Sequence, residues 1–140
     1  QRQSIFGHSM GGHGALTIGL RNPDQYQSIS AFSPIVAPSK CPWGKKAFSN
    51  YLGKNKKLWK QYDSCELLAK ADDYLPILID QGEDDQFLEE QLMTERIIAA
   101  GEKVDYPMQV RFQPGYDHSY FFIASFLRDH IEFHSEFLKD

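Results

Sequence analysis

Ile5-Phe6-Gly7-His8-Ser9-Met10-Gly11-Gly12-His13-Gly14-Ala15-Leu16 is the stretch on which the reading of this chain turns. It sets a serine, in the pattern G-x-S-x-G, between a short β-type run and a run of small residues. A serine at a strand-to-helix junction must turn sharply to lift its hydroxyl clear of the backbone. Gly7 and Gly11 are expected to be glycine because a Cβ at either place would collide with the neighbouring strand or helix. Residues 3–7 therefore read as a strand. Residues 10–21 read as a helix with small residues on one face and Leu16 and Leu20 on another, stopped by Asn22-Pro23.

Further along, residues 28–32 (S-I-S-A-F) form a second short strand, closed by Ser33-Pro34. Residues 34–75 break the rhythm. They are polar and lysine-rich, punctuated by Pro38, Pro42, Gly44 and Gly53, yet Phe48, Tyr51, Leu52, Leu58 and Trp59 are enough to fold them. This is an excursion with one or two short helices, not a disordered linker. Residues 76–80 (P-I-L-I-D) read as a strand buried on both faces. Residues 89–100 read as a helix with Leu92, Ile97 and Ile98 inward and Gly101 as its stop. Residues 108–112 alternate as a strand, and residues 119–138 form a long closing helix carrying Phe122, Phe126 and Ile131. Such alternation builds an α/β domain with a mostly parallel sheet, helices on both faces, and ligands at the carboxyl ends of the strands.

With 140 residues, 41% hydrophobic and 24% charged, the chain can bury one core. The net charge of −4 is spread without a basic block, which argues against nucleic acid and against a membrane-surface anchor. No apolar run approaches the roughly 20 residues of a spanning helix. Cys41 and Cys65 lack metal-site spacing and read as two reduced thiols of a cytosolic protein, with a disulfide as the alternative. The chain opens at Gln1 almost directly on the serine motif, with no leader, so a fragment or a processed chain is expected.

A serine hydroxyl is a poor nucleophile without a base, and the base needs an orienting carboxylate. Behind a G-x-S-x-G elbow the chain order is serine, acid, histidine. His8 and His13 belong to the elbow and its helix, from which their rings do not easily reach the hydroxyl. His130 and His134, four apart on the last helix, read as solvated surface histidines with no third ligand for a metal. His118, in P-G-Y-D-H-S between the last strand and the last helix, is the candidate base. Asp80, Asp84, Asp85 and Asp117 compete for the acid. Asp80 is still within its strand, and Asp117 adjoins the base and points away. Asp85, three residues after Gly82, is chosen, with Asp84 as the alternative. The backbone N–H of Met10 supplies one oxyanion donor. The second normally comes from a loop after an early strand, and nothing before Ser9 provides it.

The strings I-F-G-H-S-M-G-G-H-G-A-L (residues 5–16), A-F-S-P-I (31–35), C-P-W-G-K-K-A-F (41–48), I-D-Q-G-E-D-D-Q-F-L (79–88) and G-Y-D-H-S-Y-F-F-I (115–123) closely resemble S-formylglutathione hydrolase, also called esterase D. The resemblance runs from end to end of the chain. It implies an α/β-hydrolase fold, of which these residues are the carboxyl-terminal half, with an amino-terminal half as covalent partner. It implies a cytosolic serine thioesterase that hydrolyses S-formylglutathione to glutathione and formate, with carboxylesterase activity on small esters, often as a homodimer and without cofactor or metal. The family's triad falls on Ser9, Asp85 and His118. Trp43 falls near the substrate pocket, where it is equally well read as a buried aromatic anchoring the excursion.

Overall fold

The structure, a computed structural model, describes residues 2–139. Four strands, Ile5–His8 (β1), Ile29–Phe32 (β2), Ile77–Gly82 (β3) and Met108–Gln113 (β4), pair in parallel in the order of the chain. Gly7 stands opposite Ala31, Ala31 opposite Ile79 and Ile79 opposite Val110. Right-handed crossovers that always step to the next strand leave their helices on one face of the sheet. Met10–Arg21 (α1), Ser64–Ala69 (α4) and Glu95–Lys103 (α5) lie on that face, and Tyr120–Leu138 (α6) returns across the other. Between β2 and α4 the excursion adds Pro42–Tyr51 (α2) and Lys56–Trp59 (α3), with two short 3₁₀ turns. It is more helical than its sequence suggests. Buried Asp63 caps α4 by accepting the N–H groups of Cys65 and Glu66, and it also takes the Ser39 hydroxyl at 2.6 Å. Cys41 and Cys65 are free thiols.

The period-two alternation of the strands sorts the two faces. Ile29, Ala31, Ile77 and Ile79 join Ala15 and Leu16 of α1, Leu68 of α4 and Ile97 of α5 in the main core. A fully buried aliphatic side chain of this kind contributes roughly 1.5–3 kcal/mol. The opposite parity carries Ser28, Ser30, Phe32 and Asp80, a polar set for a buried face, and α6 lands on it. This corrects the reading of His130 and His134 as surface residues: they are 1% and 7% exposed. Buried polar groups must pair, and here they do so in a line. His130 Nε2 lies 2.7 Å from Asp80 Oδ2 and its Nδ1 2.7 Å from Ser30 Oγ. Ser30 Oγ lies 2.8 Å from His134 Nε2, His134 Nδ1 2.7 Å from Ser28 Oγ, and Ser28 Oγ 2.6 Å from Ser4 Oγ. Arg111 of β4 closes the far end on both Asp80 oxygens, at 2.8 and 2.6 Å. Burial raises the Asp80 carboxyl, but hydrogen bonds from His130, Arg111 and Gln113 outweigh it and bring it down to about 2. Phe32 stacks on the His130 ring at 3.8 Å.

A second difference concerns residues 89–100. The segment is not one helix: a π-helical turn, Leu88–Leu92, is followed by Met93 at φ 48°, and α5 begins only at Glu95. Gly101 does not stop that helix but lies buried inside it, and the chain leaves at Val104 and Asp105 (φ 55°). Among the described residues no helix is long and apolar enough to cross a membrane.

Candidate active site

Ser9 is the hinge between β1 and α1, at φ 57°, ψ −114°. Such a backbone persists only where its surroundings over-determine it. Here the Ser9 N–H donates to Phe32 O at 2.9 Å, and Ser9 O accepts from the N–H groups of His13 at 3.0 Å and Ile35 at 3.3 Å. A Cβ on Gly7 would stand 2.1 Å from the Gly11 carbonyl oxygen, so glycine is required there. The expectation for Gly11 is corrected: a Cβ on Gly11 would meet nothing within 4 Å. It is Gly11's carbonyl that crowds Gly7, and the second tight position is Gly12, whose Cβ would stand 3.0 Å from Pro34 Cβ.

The other two groups arrive on loops tied to each other. At the end of β3 a Cβ on Gly82 would stand 2.3 Å from Tyr116 O, so glycine admits the loop after β4. That loop is bonded along the β3 turn by Glu83 N–H to Gln113 O (3.0 Å) and Asp84 N–H to Tyr116 O (2.9 Å). The Tyr116 ring packs on Phe126 and Phe122 of α6. As a result His118 Nδ1–H donates to Asp85 Oδ2 at 2.6 Å, and Ser9 Oγ lies 3.0 Å from His118 Nε2. Phe87 N–H holds Asp85 Oδ1 at 2.8 Å. Burial raises the Asp85 carboxyl, but hydrogen bonds from His118 and Phe87 outweigh it and hold it below the ordinary carboxylate range.

The structure thus brings Ser9, His118 and Asp85 together and leaves the other acids apart. Asp84 is exposed, Asp80 is bound to His130 and Arg111, and Asp117 accepts its own loop's Ser119 N–H at 2.9 Å. Met10 opens α1, where a first-turn N–H has no intrahelical acceptor. Trp43 is 36% exposed and so does not anchor the excursion by burial. Its ring lies 4.7 Å from that of Phe87, which stands edge-on to His118 at 5.3 Å. Sequence reasoning passed over His8. Its ring lies 4.7 Å from that of His118, with Nε2 buried and unpartnered. Burial first, then the neighbouring His118, lower its affinity for a proton.

A parallel sheet with a strained serine at the tip of β1, and an acid and a histidine on the turns after β3 and β4, is the α/β-hydrolase arrangement. The chain belongs to the family described as "Putative esterase", whose sequence profile matches residues 1–133. It is similar to an S-formylglutathione hydrolase from Agrobacterium tumefaciens, at 47% identity and a TM-score of 0.94, over 99% of this chain and 50% of that one. Two Staphylococcus aureus proteins share the fold. An S-formylglutathione hydrolase is 24% identical with a TM-score of 0.74, over 93% of this chain and 53% of that one. A fluorophosphonate-binding serine hydrolase is 23% identical with a TM-score of 0.74, over 97% and 54%. The chain spans about half the length of these proteins.

Proposed function

We propose that the protein is a serine thioesterase and carboxylesterase acting on S-formylglutathione, with Ser9 as nucleophile, His118 as base and Asp85 as orienting acid. The observation that carries this is the pair of contacts at His118, 3.0 Å to Ser9 and 2.6 Å to Asp85. Asp85 accepts the Nδ1 proton, so the Nε2 lone pair faces the serine. His118 takes the Ser9 proton as Oγ attacks the thioester carbonyl, and the oxyanion that forms faces the Met10 N–H. Collapse breaks the C–S bond and leaves a formyl ester on Ser9, while His118 passes its proton to the departing sulfur, so that glutathione leaves as its thiol and the imidazole is neutral again. His118 then takes a proton from water, the resulting hydroxide attacks the ester, the proton returns to Ser9 as the C–O bond breaks, and the formic acid expelled ionises to formate. The choice of a formyl thioester rests on the A. tumefaciens similarity. The reading includes a cytosolic location, and a preceding half of the domain that supplies the second oxyanion donor and covers β1.

Labelling with a fluorophosphonate and turnover of short and long acyl thioesters and esters test it in the full-length protein. Ser9→Ala should abolish labelling and lower turnover by several orders of magnitude, with folding intact. Preference for long acyl esters would instead indicate a general carboxylesterase. An unlabelled Ser9 would indicate a binding module that kept the fold.

A further inference from the structure

Behind Asp85 stand two buried polar side chains that the chemistry above does not use. Gln81, fully buried near the end of β3, donates from Nε2 to Asp85 Oδ2 at 3.2 Å and to Gly82 O at 3.1 Å. Its Oε1 accepts the hydroxyl of Thr94, also fully buried, at 2.9 Å. A carboxylate oxygen can only accept, and so can an amide oxygen. The amide therefore stands one way round: Asp85 Oδ2 and Gly82 O both accept and fix the NH₂ on their side, and the Thr94 hydroxyl donates into the Oε1 that is left and holds it there.

We infer that Gln81 and Thr94 are positioning residues for the reaction at Ser9, together fixing the carboxylate that holds His118; the inference rests on the esterase reading. Asp85 Oδ2 takes both His118 and Gln81, while Oδ1 takes the Phe87 N–H. Two of these three donors are set by the fold before substrate arrives, so the plane of the carboxylate is set as well. The backbone between them is arranged to the same end. After Phe87 the chain makes its π-helical turn, and Met93 goes left-handed, a conformation disfavoured for a residue with a side chain. That turn is what delivers Thr94 inward beneath Gln81. Wide helical turns and strained residues of this kind recur where a functional group must be placed.

Gln81 acts on Asp85 in two ways. It stops the carboxylate from rotating, and misplacement of reacting groups by about 1 Å lowers rates by up to about 100-fold. It also draws charge from the oxygen that binds His118. Without it Asp85 is more basic and holds a protonated His118 more firmly, so the acid limb of the pH–rate profile moves to higher pH.

The test uses the full-length protein with Thr94→Val, Thr94→Ser and Gln81→Glu. For each it compares thermal melts, kcat and KM on a short thioester, and the pH dependence of kcat/KM. Thr94→Val, which keeps the shape and removes the donor, should lower kcat about tenfold with KM nearly unchanged and shift the acid limb upward. Thr94→Ser, which keeps the donor, should restore both. Gln81→Glu sets a second carboxyl against Asp85 and should lower kcat further, by about 100-fold. It decides the matter if Thr94→Val does not fold. A purely structural role would lower the melts and leave the pH profile of the remaining activity in place, and that result overturns the inference. So do equal rates and profiles for Thr94→Val and Thr94→Ser. Turnover by the wild-type protein that does not depend on Ser9 would overturn the esterase reading itself, and with it this one.

Discussion

At the scale of single residues, Asp84 and Asp85 are neighbours with different surroundings. Asp85 is buried with three donors around its carboxylate, while Asp84 is exposed and engaged through its backbone N–H. Asp85→Asn would present an amide to His118 Nδ1 and favour the wrong tautomer, with an expected loss of about 10³- to 10⁴-fold in kcat. Asp84→Asn should stay close to the wild-type rate. Steady-state assays on the two variants check this, and a reversed order would transfer the acid's role to Asp84. Ser9, His118 and Asp85 could be singled out in the sequence because each follows a strand and has a glycine or a turn beside it. Gln81 and Thr94 could not: a glutamine in a strand and a threonine before a helix are ordinary, and only their burial together gives them meaning. His8 left a clearer sign. A ring next to the serine, on the strand that ends under the histidine loop, must stand near the base.

At the scale of elements, α6 depends on its two histidines. Burial, and then the neighbouring His130, push His134 from an ordinary 6.5 down to about 4. The unfolded chain therefore binds this proton more readily than the folded one. Stability is at its full value above pH 6.5, falls as pH drops toward about 4, and levels off below that; the full effect is about 3 kcal/mol. Burial lowers His8 and His13 in the same direction, so the comparison must isolate one ring. His134→Gln can still bond both serines and should flatten the dependence when urea unfolding is followed across this window. An unchanged slope would remove His134 from the account. The helix itself was legible from its aromatic run, but its histidines were not, because two at a spacing of four suit a solvated face equally well. The available signal lay on β2: Ser28 and Ser30 alternate with Ile29 and Ala31 in a strand buried on both faces, and serines there need partners. The segment 89–100 misled for a related reason. Its apolar spacing suits one helix, and nothing local to it announces the left-handed Met93.

At the scale of the whole molecule, the two edges of the sheet differ. β4 alternates Gln109, Arg111 and Gln113 along its length, and Arg111 also meets Asp129 of α6 at 3.2 Å, a charged edge of the kind that resists pairing. β1 offers Phe6 at 52% exposure beside Ile131 at 57%, with no charge in the strand. Residues 1–140 expressed alone should therefore associate through β1 as concentration rises, as read by light scattering, and should fall far below the full-length esterase rate. A monomer with a cooperative melt and full turnover would show that this edge needs no cover. The sheet's parallel sense was legible from the strand–helix alternation. The polar line that runs along one face of it was not, since its members come from β2, β3, β4, α6 and the residues just before β1 and β2. That line has a polarity. Asp80 can only accept, so when both rings are neutral every proton is given toward it: His130 to Asp80, Ser30 to His130, His134 to Ser30, Ser28 to His134, and Ser4 to Ser28. No single hydroxyl can turn round without stranding a neighbour, so the row reverses as a unit or not at all. A proton added at His130 would be registered as an inverted dipole at Ser4, at the opposite edge of the same face of the sheet.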